Sequence, residues 1–109
     1  MPDTLLVLTN LPDAASAERI ARLLVEQRLA ACVNLLAPCT SVYRWNGAVE
    51  TATEVPLLIK TTRARYAELQ ATLAEAHPYE LPEIVAVPLE AGLPGYLAWV
   101  AAETTPPQA

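Results

Sequence analysis

An α+β domain in the order β-α-β-β-α-β, closed by a third helix, is what this 109-residue sequence predicts. Three observations carry that prediction. Short apolar runs alternate with segments of helical period, so strands and helices take turns along the chain. Asn46-Gly47 joins two long arms of strand character, and this dipeptide suits a hairpin turn whose two central residues need positive φ. Capping and breaking residues at Asp13, Thr62, His77-Pro78 and Pro94 fall where each helix should start or stop.

The elements follow in order. Thr4 to Thr9 is an apolar run that reads as a buried strand. Asn10-Leu11-Pro12-Asp13 supplies a turn, and either Asp13 or Ser16 suits the N-cap of the next helix. From Ala17 to Leu29 the period is helical, with Ile20, Leu23, Leu24 and Val25 inward. Glu18/Arg22 and Arg22/Glu26 stand four apart on its wet side. Residues 31–36 and 40–45 read as one arm of the hairpin, interrupted at Pro38. Residues 48–50 and 54–61 read as the other arm. Pro38 and Pro56 fall roughly opposite one another, so both arms are expected to bend there. Thr62 caps a second helix running to Ala76, with Tyr66, Leu69 and Leu73 buried. Glu83 to Leu89 is the last strand. Pro94 opens a third helix anchored by Leu97, Trp99 and Val100.

This order is the split β-α-β, ferredoxin-like arrangement, with two helices over one face of an antiparallel sheet. Arms of about 14 residues would span roughly 45 Å, longer than such a sheet needs. The hairpin tip near Tyr43, Trp45 and Asn46-Gly47 must therefore overhang. An overhanging strand edge invites a second chain, so the sequence argues for an edge-to-edge oligomer.

Composition narrows the function classes. The chain is 53% apolar and only 17% charged, which excludes disorder and suggests apolar surface shared with other subunits. The net charge of −5 argues against nucleic-acid partners. The longest apolar run, Tyr96 to Ala102, is far short of the ~18 residues of a membrane span. No basic leader precedes the first strand, so a cytoplasmic protein is expected. Cys32 and Cys39 would point to opposite faces of a regular strand and are read as reduced thiols. One domain over residues 1–109 is expected, with 103–109 frayed.

Several motifs stand in order along the chain. They are Ala30-Ala31-Cys32-Val33-Asn34, Thr40-Ser41-Val42-Tyr43-Arg44-Trp45-x-Gly47, Lys60-Thr61 and His77-Pro78-Tyr79-Glu80-x-Pro82-Glu83-Ile84. Tyr96-Leu97-x-Trp99 completes the set. Together they resemble the CutA family, the divalent-cation tolerance proteins, over nearly the whole chain. The resemblance implies a tight homotrimer, as in the PII signalling proteins, with long hairpin strands pairing between subunits. It implies a link to copper and other divalent metals, and a binding or assembly role without catalysis.

Candidate site residues follow from both readings. His77, the single histidine, is a candidate ligand for Cu²⁺ or another divalent cation, weakly held, with Glu80 and Glu83 as further carboxylates. Pro78 and Pro82 prevent one helix from aligning the three, and His77 alternatively caps the helix end. The resemblance implies a copper ligand at the end of the first strand and a histidine pair before Pro-Tyr, but this chain has Thr9 and Ala76 at those positions. Cys39 stands where the family usually has Gly. Lys60, the single lysine, either joins a helix N-terminus in binding an anion or pairs with Glu54 or Glu83. Tyr43, Arg44 and Trp45 suit either subunit packing or a ligand cleft between subunits, shared with Lys60 and Glu83. A PII-like small-molecule or anion sensor is therefore the alternative function. A small isomerase using Glu83 or His77 as base is a third. No glycine-rich phosphate loop and no C-x-x-C pair is present.

Overall fold

The computed structural model describes residues 3–106. Its elements are β1 (Thr4–Leu11), α1 (Ala14–Glu26), β2 (Cys32–Leu35), β3 (Cys39–Trp45), β4 (Ala48–Thr62), α2 (Arg63–Ala76), β5 (Val85–Pro88) and α3 (Pro94–Glu103). The five strands form one antiparallel sheet in the order β2-β4-β1-β5, with β3 also paired to β4. β4 thus separates β2 from β1, and β1 separates β4 from β5. The two β-α-β units are split and interleaved, as the element order predicts.

One face of the sheet makes the core. Val7 and Leu11 of β1, with Val55, Leu57 and Ile59 of β4, alternate onto that face. Ile20 and Leu24 of α1 and Leu69 and Leu73 of α2 close over them. Trp99, an expected anchor of α3, is 43% exposed, and Val100 carries that helix's buried contact. Val25 of α1 likewise faces solvent.

Helix boundaries differ from expectation for identifiable reasons. Asp13, not Ser16, caps α1: its carboxylate accepts the Ser16 N–H at 2.7 Å, and the helix begins three residues early. That hydrogen bond also holds the Asp13 carboxyl below its ordinary range. The far end stops at Glu26 instead of Leu29. Arg28 N–H bonds Val25 O and Leu29 N–H bonds Leu24 O, with Arg28 at φ 58°. This is a Schellman ending with arginine where glycine is usual. The side chain accounts for the choice. Arg28 donates from its guanidinium to the carbonyls of Ala102 and Thr105, both at 2.8 Å, and so clamps the end of α3. Thr104 is buried and bonds Val100 O, so the first part of the expected frayed tail is held in place. Residues 107–109 of that expectation lie outside the described residues. α2 starts after Thr62 as expected, although the Thr62 side chain makes no capping bond.

The hairpin is asymmetric. Asn46 (φ 49°) and Gly47 (φ 80°) both take the positive φ that the tight turn demands. β4 runs unbroken for 15 residues. Its partner is broken into β2 and β3, and residues 36–38 stand opposite 55–56 alone. The extra residue is accommodated in the first arm, which is interrupted at the expected place. Pro56 tolerates its central place because its carbonyl faces the break, accepting Leu36 N–H, and its absent N–H would face the same way. Beyond this point β3 and the first half of β4 form a two-stranded ribbon. The Cα envelope stretches to 45 × 31 × 23 Å.

One core-face group is unsatisfied. Thr9 is 1% exposed and its hydroxyl has no hydrogen-bond partner among the described residues. Thr9→Val keeps the shape and removes the stranded hydroxyl. It is expected to stabilise the protein by about 1 kcal/mol in denaturant unfolding.

Candidate functional site

The loop after α2 folds against the underside of the ribbon. Glu50, Ala52 and Glu54 alternate onto one side of β4, opposite Tyr43 and Ser41 of β3. Pro78 to Glu83 faces them across a cleft of about 980 Å³ that Asn10, Arg44 and Trp45 also line.

A short chain of hydrogen bonds holds this loop. His77, 7% exposed, sits at the C-cap of α2. Its Nε2 donates to Asn10 O at 2.9 Å, because a carbonyl can only accept. Its Nδ1 accepts the Tyr79 N–H at 3.2 Å. The two partners together specify the neutral Nε2–H tautomer. The His77 and Tyr79 rings pack in a tilted arrangement, 4.9 Å between centroids. Tyr79 then donates its hydroxyl to Glu54 Oε2 at 2.8 Å. Burial, followed by this bond and the Glu54 charge, raises the Tyr79 pKa well above its ordinary value, so the phenol remains a donor.

Sequence reasoning brought part of this together. Tyr43, Trp45 and Glu83, expected at a cleft between subunits, line this cleft within one protomer, and Glu80 joins them. Lys60 does not. It lies six residues along β4 from Glu54, about 20 Å away, and donates to Asn34 Oδ1 across the strand pair. The expected Lys60 ion pairs with Glu54 or Glu83 are not formed. His77, Glu80 and Glu83 do not converge: among the described residues no three His, Cys, Asp or Glu side chains gather as a metal would need. Metal ligation or base catalysis by His77 would first have to break one of its two backbone bonds. Cys32 and Cys39 are unpaired, as read from their spacing.

Two cleft residues are not marked as such by the sequence: Glu54 stands there only as a partner for Lys60, and Tyr79 only within the His77-Pro78-Tyr79 motif. Glu54 interrupts the apolar period at the start of a buried stretch, which is the one local signal of its role.

The second face of the sheet is thinly covered. Cys32 lies there by register, beside Lys60, and Tyr96 of α3 approaches it. Val85 and Val87 of β5, on the same face as Leu8 and Leu6 by their pairing, remain about half exposed.

A family model described as CutA1 divalent ion tolerance protein matches residues 5–103. The chain belongs to the CutA1 family. The divalent-cation tolerance protein CutA of Thermus thermophilus is 45% identical over 98 residues, which are 90% of this chain and 95% of that protein. Its solved structure superposes with a TM-score of 0.91 at 43% identity, covering 94% of this chain and 99% of the other. Protein CutA of Mus musculus is 46% identical over 89 residues, 82% of this chain. The chain spans half the length of that relative. A structure described as the periplasmic divalent cation tolerance protein CutA from Archaeoglobus fulgidus gives a TM-score of 0.91 at 36% identity, covering 94% and 99%. Among the described residues no helix is long and apolar enough to cross a membrane.

The state of His77 in this CutA1 chain is open to measurement. Burial lowers its pKa below 6.5, against smaller opposing effects from Asn10 O and Glu54. The native protein then binds this proton less readily than the unfolded chain does. Stability is unaffected well above 6.5 and declines as pH falls through that value. The His77 ring should titrate below 6.5 by NMR, with Nε2 protonated at neutral pH. His77→Gln should flatten the fall in melting temperature as pH drops below 6.5. Titration at or above 6.5 would contradict this assignment.

Proposed function

We propose that this chain acts as a self-assembling, non-catalytic member of the divalent-cation tolerance family, three copies joining through their overhanging hairpins. One observation carries the assembly. Val42 and Val49 share a face of the ribbon by register, are 67% and 64% exposed, and have no helix beneath them. Tyr43 and Trp45 near the turn are also over a third exposed. A two-stranded ribbon is marginal in water by itself, and unpaired apolar edges favour a second chain. The trimer follows the family resemblance and accounts for the low charge content, since shared burial removes apolar surface one protomer leaves open.

The cation role is a weak one in this reading. Copper or other divalent ions meet exposed carboxylates such as Glu80 and Glu83, or ligands that neighbouring copies bring together. The absence of a three-ligand group among the described residues of one chain supports weak contact over a tight site. A cytoplasmic location fits two unpaired thiols. The anion-sensor alternative is less suited to the cleft, where Glu50, Glu54, Glu80 and Glu83 face Arg44 as the one basic lining residue.

Sedimentation should give three times the 11.7 kDa protomer mass. Replacing both Val42 and Val49 by Lys should release smaller species. A monomeric wild-type protein at micromolar concentration would refute the assembly. In calorimetry, Cu²⁺ and Zn²⁺ should saturate only at excess metal, and His77→Gln should leave the isotherm unchanged. Tight stoichiometric binding lost in His77→Gln would instead place the ligand at His77.

A further inference from the structure

The cleft contains a largely buried carboxylate, Glu54, that forms no ion pair among the described residues. Glu54 is 8% exposed and lines the cleft wall. Its Oε2 is taken by the Tyr79 hydroxyl, a neutral donor. Among the described residues its Oε1 receives no hydrogen bond, and none of the three ion pairs includes it. Glu54 is thus a largely buried side chain that leaves one carboxylate oxygen open to the cleft with no ion pair on it, so this position suits an incoming cation.

The surroundings specify the kind of cation. Rings of Tyr43, Trp45 and Tyr79 line the same space, together with Glu50. Aromatic faces attract organic cations through their negative π-surface, and carboxylates accept their N–H groups. A small divalent metal asks for three or more converging ligands, and among the described residues no three His, Cys, Asp or Glu side chains gather. A cleft of about 980 Å³ is also far larger than a bare ion and fits an organic molecule.

We propose that the cleft between β3–β4 and the Pro78–Glu83 loop is a receptor for an organic cation, a guanidinium, amidinium or ammonium group seated on Glu54 between aromatic rings. The group can arrive on a free small molecule or on Arg44 of another copy. Arg44 stands on the exposed ribbon and takes part in no ion pair among the described residues. The free-molecule case does not depend on the proposed assembly or on metal binding.

The test is titration of the purified full chain with benzamidine in EDTA, read by tryptophan fluorescence and calorimetry. Benzamide, its neutral near-isostere, is the control. Benzamidine is expected to bind at least tenfold more tightly than benzamide. Trp45→Phe should remove the fluorescence change, and Trp99→Phe should retain it. Glu54→Gln, which preserves an acceptor for Tyr79, should weaken benzamidine at least tenfold, whereas Glu26→Gln on α1 should not. If the wild type binds no benzamidine but Arg44→Gln both binds it and sediments as smaller species, the group comes from the neighbouring copy. Equal binding of benzamidine and benzamide overturns the proposal even if Glu54→Gln fails to fold. So does unchanged affinity in a folded Glu54→Gln, or no binding to either the wild type or Arg44→Gln.

Discussion

β4 is the constraint on which the rest of the molecule depends. It pairs with β1 on one side and with β2 and then β3 on the other. Its 15 residues exceed what two helices of 13 and 14 residues can cover, because a strand rises about twice as far per residue as a helix. The C-terminal half, from Val55, carries the core. The N-terminal half carries the same alternation into solvent. The low charge and high apolar content of the chain find their geometric counterpart here: the exposed valines of the ribbon and the half-exposed valines of β5 are surfaces without cover in one protomer.

The loop after α2 converts that overhang into a cleft. Proline at 78 stops the helix, and His77 then turns both ring nitrogens onto backbone groups. This arrangement fixes where Tyr79 can reach, and Tyr79 reaches Glu54 on the ribbon. The bonds connect three separate segments: the end of β1, the end of α2 and the middle of β4. Each bond is worth little by itself, but buried partners that lose their bond cost more than the bond contributes. The histidine that suggests a metal ligand in the sequence is a structural fastener in the fold, and the carboxylate it helps position is the chemically open group.

Local chemistry explains which features were legible beforehand. The Asn46-Gly47 turn was readable because positive φ at two successive positions selects those residues almost uniquely. The end of α2 was readable from His77-Pro78. The end of α1 was not, because Arg28 occupies the left-handed position where glycine would have marked the stop. Its reason lies 74 to 77 residues away, at the carbonyls of Ala102 and Thr105. The same holds for Lys60. Neighbouring sequence offered it a helix N-terminus and distant carboxylates, but the register of β2 against β4 offered it Asn34.

The sequence by itself determined the order of elements, the hairpin, the overhang and the family, because each rests on periodicity, turn chemistry or ordered motifs within short stretches. Three of the cleft's lining residues, Tyr43, Trp45 and Glu83, could be named on that basis. Tertiary structure alone decided that Lys60 lies outside the cleft, that His77 is engaged on both nitrogens, and that Glu54 is buried with no ion pair among the described residues. Those outcomes depend on strand register and on a loop closing across a sheet. Such contacts join residues far apart in the chain, and local patterns carry no record of them.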